Sequence, residues 1–201
     1  RQHPREFLVV LGARLAENGL GFLFGTFALN YLTRTLQMPK SDALWALMVA
    51  YAVALFTIPA FSSLSDRIGR RPVYMGAALF CALFAFPFFW LVNTQSWPLV
   101  TLAMILAIGV GTAGMFGPQA AYFAELFSTR LRFSGFAFAR ELGSLLAGGP
   151  APFVAAVLVG WAGGQAWPVA IYIIVLSLIT ALAIYLGPET YRSDIRAERG
   201  G

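Results

Sequence analysis

Six apolar stretches, at about 7–32, 43–61, 73–92, 99–123, 133–159 and 167–186, are separated by short polar breaks. Four of them carry no acidic or basic residue before their ends, and each approaches or exceeds the ~20 residues that cross a ~30 Å hydrocarbon core as a helix. In hydrocarbon every backbone N–H and C=O must be bonded within its own segment or a closed barrel. The ~10-residue alternating segments of a barrel are absent. The pattern therefore predicts an all-α, polytopic integral membrane six-helix bundle, followed by a polar tail at 189–201.

The breaks carry the topology. The connection at 33–42 holds Pro39 as a breaker, and 93–98 and 160–166 are short and uncharged. The break at 62–72 places Asp66, Arg67, Arg70 and Arg71 between two uncharged runs, and a tight loop is expected there. Gly69 supplies a positive φ, Pro72 suits the first turn of the next helix, and Asp66 is placed to accept from free amides at a helix N-terminus. An even number of spans puts both termini on one side. Arg1, Arg5, Arg67, Arg70, Arg71, Arg130, Arg132, Arg192, Arg196 and Arg199 share that side, against Arg34 and Lys40 opposite, so it is expected to be cytoplasmic. All five tryptophans adjoin the other side, where indole rings form an interfacial belt.

Composition narrows the function. With 59% hydrophobic and only 11% charged residues, the chain is far from a soluble domain. A sequence pI near 9.8 invites a nucleic-acid partner. The basic residues, however, recur in small groups between spans instead of forming a basic face, so no nucleic acid is expected. Cys81 is the single cysteine and His3 the single histidine. No disulfide framework, thiolate metal site or histidine-based catalysis follows, and the chain is expected to be neither an enzyme nor a holder of a metal or organic cofactor. The first residue is Arg, and the chain is expected to be part of something longer.

Charges inside the spans are the candidate chemistry. Arg14 and Glu17 are three apart, on one helical face, with Asn18 beside them. Arg140 and Glu141 enter the fifth span from the same side. Each charge costs at least ~2.5 kcal/mol at such depth unless paired or facing water. One arrangement pairs Arg14 or Arg140 with Glu141 or Glu17 across the bundle. In the other, an arginine fork holds a substrate carboxylate, while Glu17 or Glu141 takes and releases a coupling proton. Glu17 is the better proton candidate by depth. Asn18, Asn30, Tyr51, Gln119 and Tyr122 are either substrate hydrogen-bonders or interhelical ties.

Glycine and proline mark further positions. Gly109-Val110-Gly111-Thr112-Ala113-Gly114 matches the G-x-G-x-x-G dinucleotide fingerprint, but it lies within an apolar span and not after a strand. Close helix packing or bending explains its glycines, and Gly21 with Gly25 gives another close-packing spacing. Gly148, Gly149, Pro150 and Pro152 interrupt the fifth span, as a hinge or a fixed kink.

Asp66-Arg67-Ile68-Gly69-Arg70-Arg71, with Ser62 four residues ahead, resembles the signature loop Gly-x-x-x-Asp-Arg-x-Gly-Arg-Arg/Lys of the major facilitator superfamily. Ser62 in place of the first Gly is typical of that signature's second copy. The stretch from Glu125 through Arg130, Arg132 and Gly135 to Gly148 and Pro152 resembles the metabolite:proton symporter branch. Gly187-Pro188-Glu189-Thr190 is similar to the close of the family's twelfth helix. The resemblance implies the C-terminal half of a twelve-helix fold, as two inverted three-helix repeats, with an absent N-terminal half as partner. It implies that the first, second, fourth and fifth spans face a cavity or the partner half, and that the third and sixth face the lipid bilayer. The implied function is secondary transport by alternating access, as proton-coupled symport of a small polar or carboxylated metabolite, in a bacterial inner membrane. A drug/proton exporter, a non-transporting membrane module or a truncated product are the alternatives. Asp66, Arg67, Gly69, Arg70, Arg71, Glu125, Arg130 and Arg132 would then form a cytoplasmic gate.

Overall fold

A computed structural model describes residues 4–126 and 141–189, with side chains from Phe7 onward and without that of Leu146. Among the described residues every regular element is helical. Five helices are long and apolar enough to cross a membrane: α1 (Phe7–Thr35), α2 (Lys40–Ile68), α3 (Arg70–Asn93), α4 (Trp97–Leu126) and, last in the chain, Trp167–Leu186. A shorter helix, α5 (Ala151–Trp161), precedes this last one, which is α6. Residues 127–140, with Arg130, Arg132, Arg140 and the start of the fifth predicted span, lie outside the described residues, as does the chain beyond Glu189.

The helices outrun the apolar stretches that predict them. The loop expected at 62–72 is mostly helix: α2 continues through Ser62, Asp66 and Arg67 to Ile68, and α3 begins at Arg70. Gly69 alone breaks the path, at φ 112° and ψ 154°, which a side chain rarely tolerates. A helix need not end where hydrocarbon ends, because its backbone bonds are internal and its polar last turns simply enter water. Pro72 falls in the first turn of α3, where its missing N–H is no loss. The break expected at 33–42 is shorter for the same reason, with α1 running to Thr35 and α2 starting at Lys40.

The packing repeats itself about the midpoint of the chain. α3 lies along α6; α1 packs on α6 as α4 packs on α3; and α4 packs on α2 as α1 packs on α5 and the π-helical turn Ser144–Gly148 before it. Exchanging the first three helices for the last three reproduces this set, the relation expected of two three-helix repeats. α1 and α4, equivalent in this scheme, both contain π-helical turns, at Leu23–Phe27 and Tyr31–Thr35 in one and at Ile105–Thr112 in the other. Such turns open the backbone ladder and recur at functional sites.

Small residues set the helix spacing. α2 buries Ala43, Ala46, Ala50 and Ala54, a narrow stripe at helical spacing, and leaves Trp45, Met48, Tyr51, Leu55 and Phe56 exposed. The glycines of the G-x-G-x-x-G run meet these neighbours closely. A Cβ at Gly109 would lie 3.1 Å from Val53 of α2, one at Gly111 2.5 Å from the Cys81 sulfur of α3, and one at Gly114 2.8 Å from Ala77. They are packing glycines, as in membrane bundles where association rests on close contact and not on expulsion of water. The Gly21 and Gly25 pair is different. Gly21 has nothing within 4 Å of an added Cβ, and Gly25 makes room for the Tyr51 hydroxyl at 2.8 Å. Both belong to an open groove, not to a helix contact.

The five tryptophans are exposed, at the ends of α3 and α5 and the starts of α2, α4 and α6, all on one end of the bundle. The exposed side chains of α6, Ile171, Val175, Leu178 and Leu182 among them, are apolar. The chain is an integral membrane protein.

Candidate functional site

The end of the bundle opposite the tryptophans is gathered around Arg70. Its guanidinium pairs with Asp66 one turn back on α2, donates to the Ser65 hydroxyl at 2.8 Å and reaches Glu125 at the end of α4 at 3.3 Å. Arg70 and Glu125 keep 11% and 12% of their side-chain surface, while Asp66 keeps 59%. One arginine thus ties α2 and α3 to α4. Arg71 turns the other way, donating to the carbonyls of Ile184 and Tyr185 at the end of α6 and lying 5.8 Å from the Tyr185 ring centre. Arg67 is exposed.

The expected amide cap is supplied by a residue the sequence reading did not assign to it. The Glu189 carboxylate accepts from the backbone N–H groups of Arg70 at 3.1 Å and Arg71 at 3.2 Å, the free donors at the start of α3. Asp66 instead faces the Arg70 guanidinium. A carboxylate at a helix N-terminus is favoured by the helix dipole, and here it comes from the chain just past α6. The Tyr122 hydroxyl donates to the Pro188 carbonyl at 3.1 Å and holds the same segment against α4. Gly69 has no room for a side chain here, because an added Cβ would sit 2.9 Å from the Glu189 carboxylate.

A second polar cluster lies within the bundle. Arg14 and Glu17 are 4% and 8% exposed and pair with each other along α1. Gln119 of α4 serves both: its Oε1 accepts from Arg14 at 3.2 Å and its Nε2 donates to Glu17 at 2.9 Å. The same Nε2 lies 3.4 Å from the Tyr74 hydroxyl of α3, which itself donates to the Ala13 carbonyl at 3.0 Å. The other Arg14 Nη donates to Ser144. Both terminal nitrogens of Arg14 are therefore engaged by protein groups, and Gly143 leaves the space its side chain needs. Glu141, expected to share this cluster, is exposed.

Thr180 of α6 fixes the turn that carries the pair. Its hydroxyl accepts from the Ala16 N–H at 3.0 Å and donates to the Gly12 carbonyl at 2.7 Å, so it spans one rung of the α1 ladder. A side chain placed there bends a helix. Threonine in an apolar helix gives no sign of this in sequence, whereas Gly12, where an added Cβ would lie 2.6 Å from Ala183, marks the close approach.

Glu17 also lines a cavity of about 500 Å³ with Asn18, Thr26, Asn30, Leu47 and Tyr51, between α1 and α2. A smaller space of about 210 Å³ continues from Glu17 and Tyr51 to Thr112 and Phe116 of α4. Of the candidate hydrogen-bonders, Asn18, Asn30 and Tyr51 thus face the cavity, while Gln119 and Tyr122 are interhelical ties. Gly148 lies against Asn18 and Phe22 of α1, and Gly149 with Pro150 separates the π-helical turn from α5, whose second residue is Pro152. The fifth segment is broken beside the cavity. Among the described residues no His, Cys, Asp and Glu cluster could hold a metal.

Comparison with known proteins agrees with this architecture. The Major Facilitator Superfamily profile matches residues 9–200. The chain is 32% identical over 192 residues to the shikimate transporter of Escherichia coli, covering 96% of this chain and 44% of that protein. It is 30% identical over 200 residues to an inner membrane metabolite transport protein of the same organism, covering 96% and 44%. With a glycine betaine/proline/ectoine/pipecolic acid transporter of Dickeya dadantii it shares 28% identity over 194 residues, covering 96% and 38%. The chain spans less than half the length of these relatives. Matched over nearly all of its own length, and built as two equivalent three-helix units, the chain belongs to the Major Facilitator Superfamily.

Proposed function

We propose that this chain is one half of a secondary active transporter that carries a small polar or carboxylated metabolite together with a proton by alternating access. Its partner is the N-terminal half of the same transporter, and the substrate path runs between the halves along the face formed by α1, α2 and α4. Both ends of the chain lie in the cytoplasm, in a bacterial inner membrane. The observation that carries the reading is Glu17, which belongs to the buried polar cluster and also lines the cavity. A carboxylate in that position can exchange a proton with cavity water while its charge state is felt by α4. The named relatives, for shikimate and for proline and betaine, favour a metabolite of that kind.

Glu17→Gln in the full-length transporter tests this. Proteoliposomes are screened for uptake of shikimate, proline and betaine, and the variant is compared on the compound that wild type carries. Uptake driven by a proton gradient is expected to fall at least tenfold, with substrate exchange retained. Undiminished gradient-driven uptake would remove Glu17 from the proton path.

A further inference from the structure

We infer that Gln119 is the positioning residue through which the charge state of Glu17 changes the packing of α4 against α1 and α3. This rests on the reading of Glu17 as the proton carrier. Arg14 and Glu17 stand on the same helix, so the ion pair moves as a unit; Arg14 ties it to Ser144 of the fifth segment, and its tie to α4 is made through Gln119. Gln119 is the α4 side chain that binds both partners, carbonyl to Arg14 and amide to Glu17. At 5% exposure no water competes for it. A primary amide has one acceptor end and one donor end, and the ion pair fixes which way it points.

The two N–H bonds of Nε2 reach two acceptors at once, Glu17 at 2.9 Å and, more weakly, the Tyr74 hydroxyl at 3.4 Å. Tyr74 spends its own proton on the Ala13 carbonyl, which leaves its oxygen free to accept. While Glu17 is a carboxylate, the charge-assisted bond is the stronger, and Gln119 favours α1. When Glu17 takes a proton from cavity water it loses that advantage, and the amide shifts toward Tyr74 with its Oε1 still on Arg14. The result is a two-position switch between α1 and α3 carried by α4, the discrete element that coupling between sites requires. Among the described residues, the groups facing Glu17 include Arg14 on its own helix, Tyr51 from α2, Tyr74 from α3 and Gln119 from α4. The α6 side chain against this turn of α1, Thr180, does not titrate, and Glu141 beside the Ser144–Gly148 turn is exposed.

Hydrogen exchange of the full-length transporter, followed by mass spectrometry in mildly acidic and mildly alkaline buffer and corrected for intrinsic rates, tests the switch. In wild type, peptides around Glu17 and around Gln119 should both differ between the two conditions by roughly fivefold or more, the low end of ordinary coupling. Glu17→Gln should hold both in the acidic pattern. Gln119→Leu should leave the α1 response and abolish that of α4. Tyr74→Phe keeps the ring and the Gln119–Glu17 bond but removes the second acceptor, so it too should abolish the α4 response and decides the matter if Gln119→Leu fails to assemble. An α4 response that survives both variants, or an α1 response without one in α4 in wild type, overturns the switch while leaving Glu17 as proton carrier. If neither segment responds in wild type, the reading of Glu17 falls and the switch with it.

Discussion

Arg14 spreads its guanidinium over one carboxylate and two neutral acceptors, Arg70 over two carboxylates and one neutral acceptor, and the two clusters stand in different solvents. Arg14, Glu17 and Gln119 are all under one-tenth exposed and sit inside the bundle, where Glu17 meets the cavity and a charge without its partner is costly. Arg70 lies at the end of the bundle away from the tryptophans, largely covered, with a well-exposed carboxylate on one side and a covered one on the other. Among the described residues, the first cluster keeps its ion pair on a single helix and reaches Gln119 and Ser144 through neutral groups. The second makes its ion pairs between helices. Only the second can therefore be pulled apart by moving helices without stranding a charge in hydrocarbon. Depth determines which cluster can open and which must stay matched.

The comparison is broken most directly at Arg14. Replacing one member of a buried pair leaves the other charge uncompensated, a loss of about 3–5 kcal/mol. Arg14→Ala should destabilise the purified full-length transporter by that order, read as thermal unfolding in detergent. Arg14→Leu combined with Glu17→Gln removes both charges and should recover most of the loss. Equal instability of the single and double variants would mean that the two charges are not matched to each other.

Arg70→Ala should cost less, about 1–3 kcal/mol, because Asp66 returns to water and only Glu125 is left largely covered. Its larger effect should be on access. With α4 released from α2 and α3, labelling of single cysteines introduced at cavity positions such as Asn30, from the Arg70 end, should rise in the variant. Arg70→Lys should not restore wild-type labelling, because a single ammonium cannot reach Ser65, Asp66 and Glu125 as the planar guanidinium does.

Much of this was legible in the sequence because membrane insertion writes simple rules. Uncharged runs located the helices, the breaks located the charges, and Gly69 announced its own backbone geometry. A spacing of three puts Arg14 and Glu17 on one face, but the expected pairing runs across the bundle, whereas the two pair with each other along α1. What one-dimensional spacing cannot hold is contact between distant helices. Gln119 lies 102 residues from Glu17 and looks like any polar residue in a span. Glu189 is 119 residues from Arg70, in a stretch that reads as the start of a tail, and it takes the capping role that proximity assigned to Asp66. The helix ends were misplaced at 62–72 because hydropathy reports where hydrocarbon stops and not where backbone bonding stops. Gly21 and Gly25 share a spacing with packing glycines, and only the absence of a facing helix separates them.

Asp66 sharpens the comparison from its weak side. It belongs to the signature loop and pairs with Arg70, so sequence would rank it beside Glu125. Exposure ranks it differently, because at 59% exposed its charge is largely solvated whether or not the pair forms. A pair of that kind contributes about 0–1 kcal/mol and is screened by salt. Asp66→Asn should therefore shift thermal unfolding only slightly, and the shift should shrink further in high salt. Glu125→Gln, measured alongside it, should cost more and keep its effect in salt, since that carboxylate is only 12% exposed. If the two variants instead behave alike, Arg70 is held equally by both carboxylates, and the Arg70 cluster is more buried in the assembled transporter than in this half.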